Sequence, residues 1–231
     1  METEMAKAPT KEEVGIVLPP LAIQLMEVTV CGDTPLIVHA WSAKAKKEML
    51  DKQMKTAKQA KAPKNPKEDY ESSLYRLGDG FGFPSVGFKA AAVTACTSVA
   101  GITKIAARQA FHILGEDIDV TGAFEGTKAR LNLVRIEGSS PSMREDMVRV
   151  GMGTADLRYR GEFADWHAKL LVRYNANVLS ESQILNIINV AGFAVGVGEW
   201  RPEKDGMNGM FHVASEADMA KLEAANQSIA A

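Results

Sequence analysis

Apolar residues recur along the chain with two different periods. At residues 25–30, Met26, Val28 and Val30 alternate with Glu27 and Thr29, the period of two that marks a strand with one buried face. Gly32 and Asp33 then turn the chain into Pro35, Leu36, Ile37 and Val38, a second extended piece. The runs RLNLVRIE (130–137) and WHAKLLVRY (166–174) alternate in the same way, and 210–213 is a short final strand. Helical spacing marks other stretches. Ser85 is placed to cap a helix over 85–96, whose small residues allow close packing on a sheet, and a second helix spans 103–112. The best-defined helix follows Ser180, which pairs with Gln183 as a capping box; Ile184, Ile187, Ile188 and Ala191 share one face, and Gly192 stands where a C-terminal cap belongs. A terminal helix covers 216–225 and frays beyond. Residues 77–87, with four glycines around Phe81, Phe83 and Pro84, read as a tight loop.

With two insertions set aside, the order is strand, helix, strand, strand, helix, strand. This predicts an α+β protein with a ferredoxin-like (RRM-like) βαββαβ core, two large insertions and a C-terminal helix. Residues 1–20 form a flexible N-terminal segment, and 21–213 form a single domain. The insertions fall at about 42–76, a basic arm, and 138–165, a protruding element; 214–231 is the terminal helix and tail. A length of 231 residues with 46% hydrophobic and 24% charged residues is that of a globular chain able to bury a core. No apolar run reaches the roughly 20 residues of a membrane span, and 1–10 lack the apolar stretch of a secretory signal, so a cytoplasmic protein with no membrane partner is expected.

Charge changes this picture through its distribution. The formal net charge is only -2. Yet nine lysines, Lys44, Lys46, Lys47, Lys52, Lys55, Lys58, Lys61, Lys64 and Lys67, face two acids, Glu48 and Asp51, a local balance of +7. Residues 42–60 favour helix, and Pro63 and Pro66 prevent its continuation. Such a segment is either a solvated surface arm or a polyanion-attracting one, in which each lysine on a phosphate releases counterions.

Several chemistries are excluded by motif. No GxxxxGK or GxGxxG run exists, so no nucleotide cofactor is implied. His39, His112, His167 and His212 have no metal-ligand spacing, Cys31 and Cys96 form no CxxC pair, and there is no GxSxG elbow. No metal is expected.

Residues 192–209 place five glycines in 18 positions around Trp200, Arg201 and Lys204. A glycine-rich loop after a helix can wrap a sugar-phosphate backbone with its N–H groups, with Arg201 and Lys204 supplying charge and Trp200 stacking on a base. The alternative is structural: Trp200 as a core anchor, Arg201 in an internal salt bridge and the glycines turning the chain.

The passage ILNIINVAGFAVGVGEWRPEKDGMNGMFHV resembles the C-terminal glycine-rich loop of the RAMP superfamily, and GFPSVGFKAAAVTAC resembles the first helix of those proteins. Within the superfamily the likeness is to CRISPR backbone subunits and similar stand-alone or phage-borne proteins. It covers 21–40, 80–112, 130–137 and 166–213 but neither the lysine arm nor the terminal helix. The resemblance implies a non-enzymatic protein that coats single-stranded RNA or DNA without sequence preference, as a head-to-tail array of copies, alone or with other subunits of a nucleoprotein complex. By position, Lys89, Lys104, Arg108, Gly196, Gly198, Trp200, Arg201 and Lys204 would line the strand. Arg144, Arg149, Arg158 and Arg160 fall where backbone subunits carry a thumb-like element, and Lys55, Lys58 and Lys61 join from the arm.

Two other readings stay open. One is a scaffold protein that uses the same fold for protein contacts, which the net charge of -2 favours. The other is a metal-independent endoribonuclease, since some RAMP relatives use a histidine after the first strand as general base and His39 has that place.

Overall fold

A computed structural model describes residues 20–56, 63–151 and 153–230. The chain is mixed α+β, with six helices and two antiparallel sheets among these residues. In order the elements are β1 (Ile23–Gly32), β2 (Leu36–Val38), α1 (Ala43–Gln53), α2 (Pro66–Ser73), β3 (Arg76–Leu77), β4 (Gly80–Pro84), α3 (Ser85–Ala95), α4 (Lys104–Ala110), β5 (Phe111–Leu114) and β6 (Glu116–Thr121). There follow β7 (Lys128–Gly138), β8 (Ser142–Val150), β9 (Thr154–Phe163), β10 (Trp166–Asn175), α5 (Glu181–Ala194), β11 (Phe211–Val213) and α6 (Glu216–Ala230).

The larger sheet runs β11-β1-β10-β7-β4-β3; β5 also pairs with β10, and β6 with β7. Alternation on its two central strands sets the core. Val28 and Val30 on β1 and Ala168, Leu170, Val172 and Tyr174 on β10 are buried on one face, where α3 and α5 pack side by side. Phe88, Ala91, Ala92 and Ala95 from α3 meet Ile184, Ile187, Ile188 and Ala191 from α5 in one cluster. The second sheet, β2-β9-β8, ties the hairpin of β8 and β9 to the chain just beyond β1, pairing Val38 with Gly161 and Leu36 with Phe163.

Local chemistry explains the boundaries. The Ser180 and Gln183 capping box opens α5, but α5 continues through Gly192 to Ala194. Gly192 is not its cap: a Cβ there would collide with the Phe211 carbonyl, so glycine lets α5 lie directly on β11. Ser85 is not a cap either, because Pro84 occupies that position and the Ser85 hydroxyl bonds Asn132. The stretch read as a tight loop contains β4, whose residues 81–84 pair with 136–133 of β7. The helix read over 103–112 stops at Ala110, since Phe111 and Ile113 alternate with His112 and pair with β10 as β5. The insertion at 138–165 is a long antiparallel hairpin, and the arm contains α1 and α2.

Candidate nucleic-acid interface

Ser42 caps α1 by accepting from the Ala45 N–H at 3.1 Å. No residue of α1 is buried, so the helix presents its lysines to solvent instead of joining the core. Between α1, α2 and β9 lies a cleft of about 850 Å³, with Lys44, Lys52 and Trp41 on one side and Lys64, Arg158 and Tyr159 on the other. Trp41 is 60% exposed at its rim. Lys64 and Arg158 share one carboxylate, Asp156, at 2.8 and 3.2 Å; the Lys64 hydrogen bond, with help from Arg158, holds Asp156 below the usual carboxylate range. Lys44 and Lys52 make no ion pair among the described residues. Lys55 follows α1 in a left-handed backbone conformation, and Lys58 and Lys61 lie outside the described residues.

A second cleft, of about 350 Å³, adjoins the first through His39, which lines both. Its walls are Tyr75, Phe83, the α3 residues Ala90, Ala91 and Thr94, and the glycine-rich loop from Val195 to Glu203. Gly196 and Gly198 both have positive φ, and a Cβ on Gly198 would strike the Ile37 carbonyl, so glycine brings this loop against β2. The Glu199 N–H donates to the same carbonyl at 2.9 Å. That bond sets the Glu199 carboxylate 3.7 Å from His39 Nδ1 and 3.6 Å from Arg160. The neighbouring His39 ring, followed by the Arg160 charge, lowers the Glu199 pKa against the opposing effect of burial.

Arg160 belongs to a buried network and not to an open surface. It is 6% exposed and binds Asp146, itself 7% exposed, at 3.1 Å. Arg144 completes the network with bonds to Asp146 at 2.9 Å and Glu162 at 2.8 Å. Burial would raise the Asp146 pKa, but hydrogen bonds from Arg144 and Arg160 overcome it and leave it lowered. The expectation that Arg160 faces a strand is therefore corrected, since it is buried against Asp146 and ties the hairpin to Glu199 of the glycine loop, while the half-buried Arg144 pairs with Asp146 and Glu162 within the hairpin itself. Arg149, near the hairpin tip, is exposed and unpaired among the described residues.

In the loop, Arg201 donates to the Gly198 carbonyl at 3.0 Å and to Glu203 at 2.7 Å, the internal pairing anticipated as its structural alternative. Trp200 is not a core anchor, for it is 40% exposed with φ 55. Lys204 ends a 3-10 turn, Pro202–Lys204, and is exposed. Lys89, Lys104 and Arg108 line neither cleft; Lys89 bonds the Arg108 carbonyl at 3.1 Å, and Lys104 and Arg108 sit four residues apart on α4. Trp41, Tyr159 and Glu199 were missed as site residues by sequence reasoning. Only Trp41 had a signal, an aromatic directly before the lysine run.

Among the described residues no His, Cys, Asp and Glu group stands ready for a metal, and no helix is long and apolar enough to cross a membrane. The chain matches no model of a known protein family and no curated protein.

Proposed function

We propose that this is a non-enzymatic protein that binds single-stranded nucleic acid without sequence preference, on a ferredoxin-like core of the RAMP type, and that copies assemble head-to-tail along the strand. The carrying observation is convergence. The lysine arm, the hairpin and the glycine-rich loop are distant in sequence, yet they line two clefts that meet at His39. The cations free to meet phosphate, Lys44 and Lys52, stand beside the exposed Trp41 ring, the pairing of charge and stacking surface that suits a flexible strand. Lysines and aromatic faces contact backbone and any base alike, so little sequence preference is expected.

The core assignment is supported by the element order β1, α3, β5, β10, α5, β11 and the sheet order β11-β1-β10-β5, antiparallel throughout. In that arrangement β5, rather than β7, serves as the second core strand. Head-to-tail assembly is supported by Met147 and Leu157, which face each other across the hairpin on its outer part, with Met147 73% exposed.

Trp41→Ala tests the reading. Because the ring is exposed, the fold should persist, while affinity for a strand of about 20 nucleotides drops by ~1–3 kcal/mol for each lost stacking contact. Unchanged affinity by fluorescence anisotropy would contradict it. A second reading, the metal-independent endoribonuclease, draws on His39, which lines both clefts, and on the Glu199 carboxylate 3.7 Å from it in the second cleft. Labelled single-stranded RNA should remain intact on incubation; cleavage that vanishes in His39→Gln would put the nuclease first.

A further inference from the structure

Away from both clefts, three basic side chains converge where β5 meets β10. His112 and Arg173 are partners in the β5 and β10 register. Both are exposed on the sheet face opposite Val172 and Tyr174, which are buried against the helices. Lys89 reaches this pair from α3, its Nζ 2.9 Å from His112 Nδ1 and 3.1 Å from the Arg108 carbonyl oxygen. A charged ammonium only donates, so Nδ1 accepts and the imidazole proton sits on Nε2.

No carboxylate among the described residues forms an ion pair with Lys89, His112 or Arg173. The acid nearest in register on this face is Glu27, opposite Leu171 and so on the diagonal from Arg173, with which it forms no ion pair. Burial, followed by the charges of Lys89 and Arg173, holds the His112 imidazole below its ordinary pKa, and burial lowers Lys89 as well. The cluster thus carries uncompensated positive potential and three kinds of unused donor: the planar fork of Arg173, the Nε2–H of His112 and a remaining N–H of Lys89.

We infer that Lys89, His112 and Arg173 form a binding site for a tetrahedral oxyanion of the phosphate class. A bound anion relieves the repulsion among the cations, and its several oxygens can take donors arriving from three elements at once. None of the three residues lines either cleft, so the site does not depend on the strand-binding reading. The anion is either a free ion or a phosphodiester within a polynucleotide.

Two probes distinguish these sources: inorganic sulfate, a free tetrahedral dianion, and the dinucleotide TpT, which carries a single phosphodiester. Each is titrated at constant pH 7 while the His112 ring resonances are followed by NMR. Sulfate should shift them saturably, with binding weakened about tenfold or more in Arg173→Gln, whose exposed site keeps the fold. A matching saturable shift with TpT assigns a polymer phosphate; a shift with sulfate alone assigns a free ion. Lys89→Gln supplies a second, independent loss. His112 resonances that stay still with both probes up to about 50 mM, or that shift equally in Arg173→Gln, would overturn the assignment.

Discussion

In the hairpin of β8 and β9, Arg144 and Arg160 lie against Asp146, Glu162 and Glu199, whereas along α1 the side chains of Lys44, Lys47 and Lys52 face solvent with no ion pair among the described residues. Both segments are rich in cations, and they use them in opposite ways. Arginine, with its planar fork, suits bidentate pairing with buried carboxylates, and the hairpin becomes a braced strut. Lysine on a helix with no buried face keeps its charge in the solvent, and the arm becomes a source of field. A count of basic residues therefore overstates the free charge of the hairpin but not that of α1.

The sharpest way to break this contrast is Arg160→Ala. It removes one of the two cations on Asp146, which keeps Arg144, and one of the two neighbours of Glu199, which keeps His39, and a loss approaching the ~3–5 kcal/mol of a broken buried pair is expected in urea denaturation. A loss within the range of surface substitutions, about 0.5 kcal/mol, would mean that the strut is not braced there. Acid should act on the same network. Asp146 and Glu199 have folded pKa values below their ordinary ones. Their stabilisation is complete above the unfolded values, near 4, and is lost as pH falls through the lowered folded values. The contribution of this network to thermal melts, read as the difference between wild type and Arg160→Met, should therefore be level from neutrality down to about pH 5 and decline below it.

The arm should respond differently. Replacing Lys44 and Lys52 together by glutamine should leave the melting temperature unchanged while reducing the slope of log affinity against log salt by about 1.4, close to 0.7 for each phosphate contact on a single strand. An unaltered slope would make α1 a solvated helix only. The smallest effect belongs to Arg149→Gln, where the one hairpin arginine without an ion pair among the described residues should change that slope by no more than about 0.7 and stability not at all.

The same contrast explains what could be read from sequence. Alternation on β1 and β10 and the capping box of α5 were legible because one face of each is buried, so the apolar period is strong. The hairpin was opaque: its facing pairs include Arg144 with Arg160 and Asp146 with Arg158, and ion pairing leaves no apolar period to see. Strand β5 merges with the preceding helix in the sequence pattern because four residues are too few to establish a period, and Gly80 and Gly82 hide β4. For the site, sequence displayed the charges but not their partners. Arg201 and Lys204 stand together in the chain, yet Glu203 takes the first and leaves the second exposed. The role of Glu199 was invisible, since only folding brings it beside His39 and Arg160.

The location of the bound strand tests the central claim most directly. A single strand of about 20 nucleotides carrying photoreactive thiopyrimidines, long enough to extend beyond one site, would be crosslinked to the protein and the modified peptides identified by mass spectrometry. Crosslinks at Trp41 and Tyr159, with further ones at Trp200 in the glycine-rich loop, are the expected result. Crosslinks confined to surfaces away from both clefts, or none under conditions where the strand is bound, would contradict it.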